Sequence, residues 1–428
     1  MSWSFRVAAV ALVILAIPRR ATALERSDCS RSITNSNLVS CVLAAHPDLL
    51  VERSELPALE ARRSSASTLL PSNPVLAMSG SQRTSSGPGA RQELEWSASL
   101  SQELELAGGR GRRIRAADAA LEARRQRVRA SERAASAAGW AAFFRLLAAR
   151  AELELSERLL AASERMSRVA RAKAERGLLA AVETDVVSFS TLQVLRAKLD
   201  AEQALAIAGA ELSYLLGRDP GAPLPAVEGE LAPLTLSDAN TASAAVRAAT
   251  PELRALAAER TAVGERAAAL RRERVPNPTL SLFARRDGFD ERVLGVGLSL
   301  PIPLPSPLGQ THAGEIAELE ALARRTDQQR KQAEAQARLR VATAAAAVRA
   351  HRQFVEALPP AALERAEQSL LHLGKELEAG RLTVREALNA QQALIELLRT
   401  HLAERRALCL ASIELAQAQG VALERGAP

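Results

Sequence analysis

The sequence predicts a mixed α/β membrane protein with an internal duplication. Four short strands per chain stand at one end of two long helical hairpins, and three chains close a twelve-stranded β-barrel continuous with a long α-helical barrel. Three observations predict it. Two alanine- and arginine-rich segments, 111–176 and 314–379, run far beyond ordinary helix lengths. Ahead of each lies a short stretch in which apolar and polar residues alternate. The whole arrangement then recurs at an offset of 204 residues, Pro47 to Pro251 and Asn73 to Asn277.

The first rod has no proline and one internal glycine, Gly139. As a helix it is about 100 Å long, whereas globular helices average about 11 residues. The second is interrupted at Pro359-Pro360 and Gly374. A single globular core has no use for such rods, so the shape is extended and the function follows from spanning a distance. Of the 428 residues 47% are apolar but only 3% aromatic. Alanine lets helices approach closely yet buries little area per residue, so many contacts along the rods must supply the stability.

Residues 1–23 read as an export signal. Arg6 gives a positive end, Val7 to Ile17 is apolar, Pro18 breaks the run, and Ala21-Thr22-Ala23 fits a cleavage site. A retained anchor is the alternative, but the run is short for a bilayer span. Removing Arg6, Arg19 and Arg20 takes the formal charge from +7 to +4. Arginine is interleaved with glutamate along the rods, which reads as solvated helix faces; the basic balance alone would allow nucleic acid as a partner, but export argues against it. Cys29, Cys41 and Cys409 are an odd number. A Cys29–Cys41 bridge is conceivable in an oxidising compartment. Cys29 follows Arg-Ser-Asp, unlike a lipid-attachment site, so no lipid anchor is expected.

The first repeat, 24–217, opens with a helix from Ser36 to about Leu70 in which Pro47 and Pro57 predict bends or a displaced start. A hairpin at about 73–106 follows. Asn73 to Met78 is one strand, 79–91 a loop, and Leu94, Trp96, Ala98 and Leu100 the apolar face of the other, with Leu104 and Leu106 continuing the alternation. The long helix 111–176 turns at Gly177 and returns as 184–216. A Pro/Gly-rich connector spans 218–242. The second repeat, 243–417, has a helix, a hairpin at about 277–304 with a tight loop at Arg286–Asp290 and a strand face from Leu294 to Ile302, the long helix 314–379, a turn at Gly380 and a return helix 383–417. Residues 418–428 are a tail.

Four strands with one apolar face cannot close alone, and their edges invite pairing. Three chains supply twelve strands, and membranes admit only closed sheets or helices. With HPDLL (46–50), TPELR (250–254), NPVL (73–76), NPTLSL (277–282), LSQELELAGGRGRRIRAAD (100–118), GVGLSLPIPL (295–304) and LSYLLG (212–217) in this order, the chain resembles the TolC family of outer-membrane efflux proteins, nearest its heavy-metal-efflux, CzcC-like branch. Tips resembling the family's are AERGLLAAVETDV (174–186) and LEAGRLTVREALNAQ (377–391). The resemblance implies a homotrimer in the outer membrane of a Gram-negative bacterium, its helical barrel in the periplasm. It further implies a passive duct docked to a periplasmic adaptor and an inner-membrane pump of RND type. Divalent metal is the cargo that branch suggests. Aromatic girdles are thin, with Trp96, Phe283 and Phe289 alone in or beside the strands.

No enzyme, cofactor or metal site is expected. His46, His312, His351, His372 and His401 are scattered without ligand spacing. At the tips Gly177 and Gly380 permit the left-handed turn, and Leu178, Leu179, Leu382 and Val384 are the expected adaptor contacts. Glu183, Asp185 and Glu386 start the returning helices, where carboxylates are favoured. Repeated around an axis they would form an acidic constriction, with Arg176 and Arg381 as salt-bridge partners holding it closed. The rival reading is a periplasmic coiled-coil scaffold without channel activity, its alternating stretches being incidental loops.

Overall fold

The computed structural model describes residues 29, 31–84, 92–235, 250–286, 291–304, 308–309, 311–421 and 423. The signal segment and most of the tail lie outside them. The chain runs β1 (Ser32–Thr34), α1 (Leu38–Ala45), α2 (Pro47–Ser54), α3 (Leu56–Ala66), β2 (Val75–Thr84), β3 (Gln92–Glu103), α4 (Gly109–Glu175), α5 (Ala181–Leu215) and β4 (Ala226–Glu228). It continues through α6 (Pro251–Glu273), β5 (Thr279–Arg286), β6 (Arg292–Ser299), α7 (Ala313–Ala357), α8 (Pro360–Glu378) and α9 (Val384–Gln419).

Both prolines of the first helical stretch act where their missing N–H is tolerated, near a helix start. Three short helices therefore replace one, with breaks at His46 and Glu55. The helix ahead of the second hairpin, α6, has only Pro251 at its start and stays whole over 23 residues. The second rod divides into α7 and α8 at Leu358-Pro359, as proline's exclusion from helix interiors requires. The return helix expected from 184 begins at Ala181, and its partner extends to Gln419.

Four strands form one antiparallel sheet in the order β2-β3-β5-β6. Its register aligns Leu76, Leu100, Leu282 and Val296 in one row and Met78, Ala98, Ala284 and Leu294 in another. The alternate rows are Ala77, Ser99, Phe283, Gly295 and Val75, Ser101, Ser281, Gly297. One face is thus large and apolar, the other mostly small, with Ser99, Ser101 and Ser281 on it. Phe283 lies across Gly295, where a Cβ would meet its ring. Strand limits differ from the expectation. β2 continues through Thr84, so 79–84 is strand rather than loop, paired residue for residue with Gln92–Ser97; 85–91 lie outside the described residues. Cross-strand partners override the low β-propensity of SGSQ. β3 ends at Glu103 and β6 at Ser299, before Leu104, Leu106, Leu300 and Ile302. Pro301 and Pro303 cannot donate to a ladder.

Two strands went unread in the sequence. Ser32–Thr34 pairs in parallel with Ala226–Glu228, inside the supposed connector. The pair closes over the main core, where Trp140, Phe143 and Phe144 of α4 stack among themselves and against Ile33, Val42, Leu212 and Val227. Three of the few aromatics therefore sit in one belt midway along the rod. Gly139 brings α1 close, since a Cβ there would lie 2.8 Å from a Val42 methyl.

Cys29 and Cys41 are bridged, tying β1's N-terminal side to α1. Replacing Cys29 with serine is expected to lower stability by about 3 kcal/mol, the scale for a short closed loop. Thermal unfolding of oxidised, reduced and Cys29→Ser protein checks this, the last two being expected to match.

Candidate functional site

α4 begins beside the sheet and ends at the far tip, so the two ends of this 67-residue helix stand about 100 Å apart. Both tips close by the same backbone geometry. Gly177 has φ 70° and Gly380 φ 73°. Leu178 N–H donates to Lys173 O and Gly177 N–H to Ala174 O, each at 2.9 Å; Arg381 N–H to Glu376 O and Gly380 N–H to Leu377 O repeat the pattern at 3.0 and 3.2 Å. These are Schellman endings, in which glycine takes the left-handed position without strain. The two tips are joined: Lys173 Nζ donates to the Leu377 carbonyl, 204 residues away. Beneath them Met166, Ala170, Val187, Leu377, Val384, Ala387 and Leu388 form one buried cluster.

That cluster separates the apolar tip residues. Leu178 is exposed. Leu179 and Leu382 are half-buried against the core. Val384 is only 5% exposed and belongs to the core rather than to a contact surface, a correction to its expected role. It is the first residue of α9, and its side chain turns under the tip.

The acids start helices, as their positions predict. Glu183 reaches back to the Ala180 N–H at 3.3 Å. Glu386 and Thr383 form a capping box: Glu386 Oε2 accepts from Thr383 N–H and hydroxyl, both at 2.8 Å, and Thr383 Oγ1 accepts from Glu386 N–H at 3.3 Å. The Thr383 backbone N–H, then its hydroxyl, hold the Glu386 carboxyl below its ordinary range. Asp185 is exposed. Arg381 does not pair with these acids within the chain; it binds Glu376 at 3.1 Å. The i–5 spacing is too long for a helical i,i+4 pair and becomes short only because the chain reverses at Gly380, so sequence spacing did not flag Glu376. Arg176 is exposed and makes no ion pair among the described residues.

Farther up, His401 is buried with no partner for Nδ1. Burial first, and Arg405 second, hold its imidazole below the ordinary 6.5. Unfolded chain takes up this proton more readily than folded chain. Stability from this site is therefore complete above pH about 6.5 and lost as pH falls through the lower folded value. Wild type is expected to lose more thermal stability than His401→Gln between pH about 7 and about 5, as unfolding scans of both would measure. Among the described residues no group of three or more His, Cys, Asp or Glu could hold a metal ion.

At the other end, the apolar sheet rows are open to the surroundings: Leu76 is 66%, Val296 68% and Leu294 83% exposed. β2 and β6 are unpaired sheet edges among the described residues. No described helix is long and apolar enough to cross a membrane.

A long-helix chain with a small amphipathic sheet mounted at one end, both edges open among the described residues, is the class this geometry defines. The model of the outer membrane efflux protein family matches residues 38–218, which include the first hairpin and its rod. No curated protein matches the chain. Solved structures do. CusC superposes with TM-score 0.73 at 17% identity, over 91% of this chain and 92% of that one. The outer membrane protein VceC of Vibrio cholerae gives 0.73 at 16%, over 91% and 96%. The open-state MtrE outer membrane channel of Neisseria gonorrhoeae gives 0.70 at 17%, over 91% and 90%. The chain has the fold of these proteins.

Proposed function

We propose that the chain is the outer-membrane channel of a tripartite efflux system, a homotrimer that passively conducts what an inner-membrane pump delivers through a periplasmic adaptor. The observation that carries this reading is the four-stranded sheet, whose apolar rows are exposed and whose two edges have no strand partner among the described residues. A water-exposed sheet of this kind would aggregate; three copies joined edge to edge in lipid satisfy both edges and the apolar face. The scaffold reading leaves both without a purpose. Along α5 an exposed stripe, Val182, Val186, Phe189, Leu192, Leu195 and Leu199, recurs every three or four residues and suits the neighbouring rod of a second copy.

At the tips, Leu178 and the glycine turns are the assigned adaptor surface, with Leu179 and Leu382 supporting it. Leu178→Asp is expected to weaken co-purification with the adaptor about tenfold while leaving the trimer intact; equal recovery would remove the tip from the docking surface. The acidic constriction rests on Asp185 first, because Glu386 is already engaged by Thr383. Cation selectivity in planar bilayers that survives Asp185→Asn would exclude that role. Within the resemblance we favour divalent metal cations as cargo and an RND-type pump as the motor. A deletion strain grown on graded metals and drugs tests this, metal sensitivity being the expected result. Purified protein giving no conductance in planar bilayers would overturn the channel itself.

A further inference from the structure

Near the sheet end of the helical body, α3, α4, α6 and α7 line a half-open cavity of about 340 Å³, within the range of sites for single small molecules. Its floor is apolar: Leu59 of α3, Ala117 and Ala120 of α4, Ala269 and Leu270 of α6, and Leu319 of α7. Three arginines also line it, and they are not alike. Arg113 is held by Glu105 at 2.6 Å. Arg62 and Arg266 have neither an ion pair nor a hydrogen bond among the described residues. Their neighbours on the same surface are engaged, Arg112 and Arg115 with Glu265 at 3.0 and 3.2 Å.

Two free guanidinium groups beside an alanine and leucine floor define a ligand by its two halves. Guanidinium matches carboxylate or phosphate and keeps its charge at every accessible pH. The floor matches an alkyl chain, each methylene of which gains when it leaves water. A small hydrophilic anion would leave the floor unused, a neutral hydrocarbon would leave both cations unserved, and a cationic amphiphile would be repelled. We propose that this cavity binds a single anionic amphiphile, its alkyl chain on the floor and its head at Arg62 and Arg266. The site goes beyond the duct reading and does not depend on it. A bilayer lipid and an exported amphiphile share this chemistry.

Native mass spectrometry of the full chain, purified in a polyoxyethylene detergent and titrated with dodecyl phosphate, tests the assignment. Saturable uptake of one molecule per chain is expected, with dodecyltrimethylammonium failing to compete. Arg62→Gln/Arg266→Gln is expected to weaken uptake about tenfold or more; both arginines are exposed and unpartnered, so folding should be untouched. Ala117→Phe fills the floor and is expected to abolish uptake. A phospholipid mass that survives purification, and is lost in both variants, supports the site with the bilayer as source. A chain that arrives empty and then fills supports it with a soluble amphiphile as source. Equal binding of the ammonium compound, uptake unchanged in both variants, or no saturable uptake and no retained lipid would each overturn it.

Discussion

Replacing Val296 with arginine is expected to keep the chain out of the outer membrane. Val296 stands mid-strand on β6, in the apolar row with Leu76, Leu100 and Leu282, and is 68% exposed in the single chain. Under the proposed function that exposure is to lipid. An arginine near the bilayer midplane of a barrel costs about 2–4 kcal/mol, and a symmetric trimer carries the change in every copy. Ser101→Arg supplies the control, because Ser101 lies on the opposite face, in the row of Val75, Ser281 and Gly297. The Val296 variant is expected to be depleted from carbonate-washed outer membranes and the Ser101 variant retained. Equal retention of both would mean that the apolar rows do not face lipid.

Gly217→Val is expected to cost about 2–6 kcal/mol, by summing backbone strain and overpacking. Gly217 ends α5 with φ 63°, donating to Tyr214 O while Arg218 N–H donates to Ser213 O. A Cβ there would meet the Ala45 carbonyl oxygen at 2.5 Å and Ala45 Cβ at 3.2 Å. The first obstacle is backbone and cannot swing aside. Gly177 separates the two contributions, because its φ is 70° but nothing lies within 4 Å of its added Cβ. Gly177→Val should therefore lose only the left-handed penalty, about 1–2 kcal/mol. Thermal unfolding of the two variants gives the comparison; similar losses would contradict the close approach of α5's end to α1.

That approach also explains why two of the sequence motifs belong together. HPDLL and LSYLLG are more than 160 residues apart, yet Tyr214 OH donates to Asp48 Oδ1 at 3.4 Å and the His46 and Tyr214 rings meet edge-on. Each motif was legible alone, as a bend or displaced start early in a helix and as a helix stop. Their meeting was not, because local spacing says nothing about which helix end faces which.

The same division runs through the molecule. The rods, the tip glycines and the alternating faces of β3 and β6 were readable, since proline, glycine and period-two patterning act locally. β1 and β4 were not: three-residue strands carry too little pattern, and their pairing depends on a contact between distant segments. The strand character of 79–84 was hidden because serine, glycine and glutamine signal a loop until a paired neighbour supplies the ladder. At the candidate site, Glu183 and Glu386 were legible as helix-start acids. The burial of Val384 and the Arg381–Glu376 pair were not, because both depend on how the two tips pack together.

The central claim is a closed trimeric barrel, and heat-modifiable migration of the outer-membrane fraction tests it most directly. Unboiled protein is expected to run near three times the 45.6 kDa chain and to collapse to the monomer on boiling. A chain that runs as a monomer in both lanes, and is released as a soluble extended protein, would contradict the barrel and restore the scaffold reading.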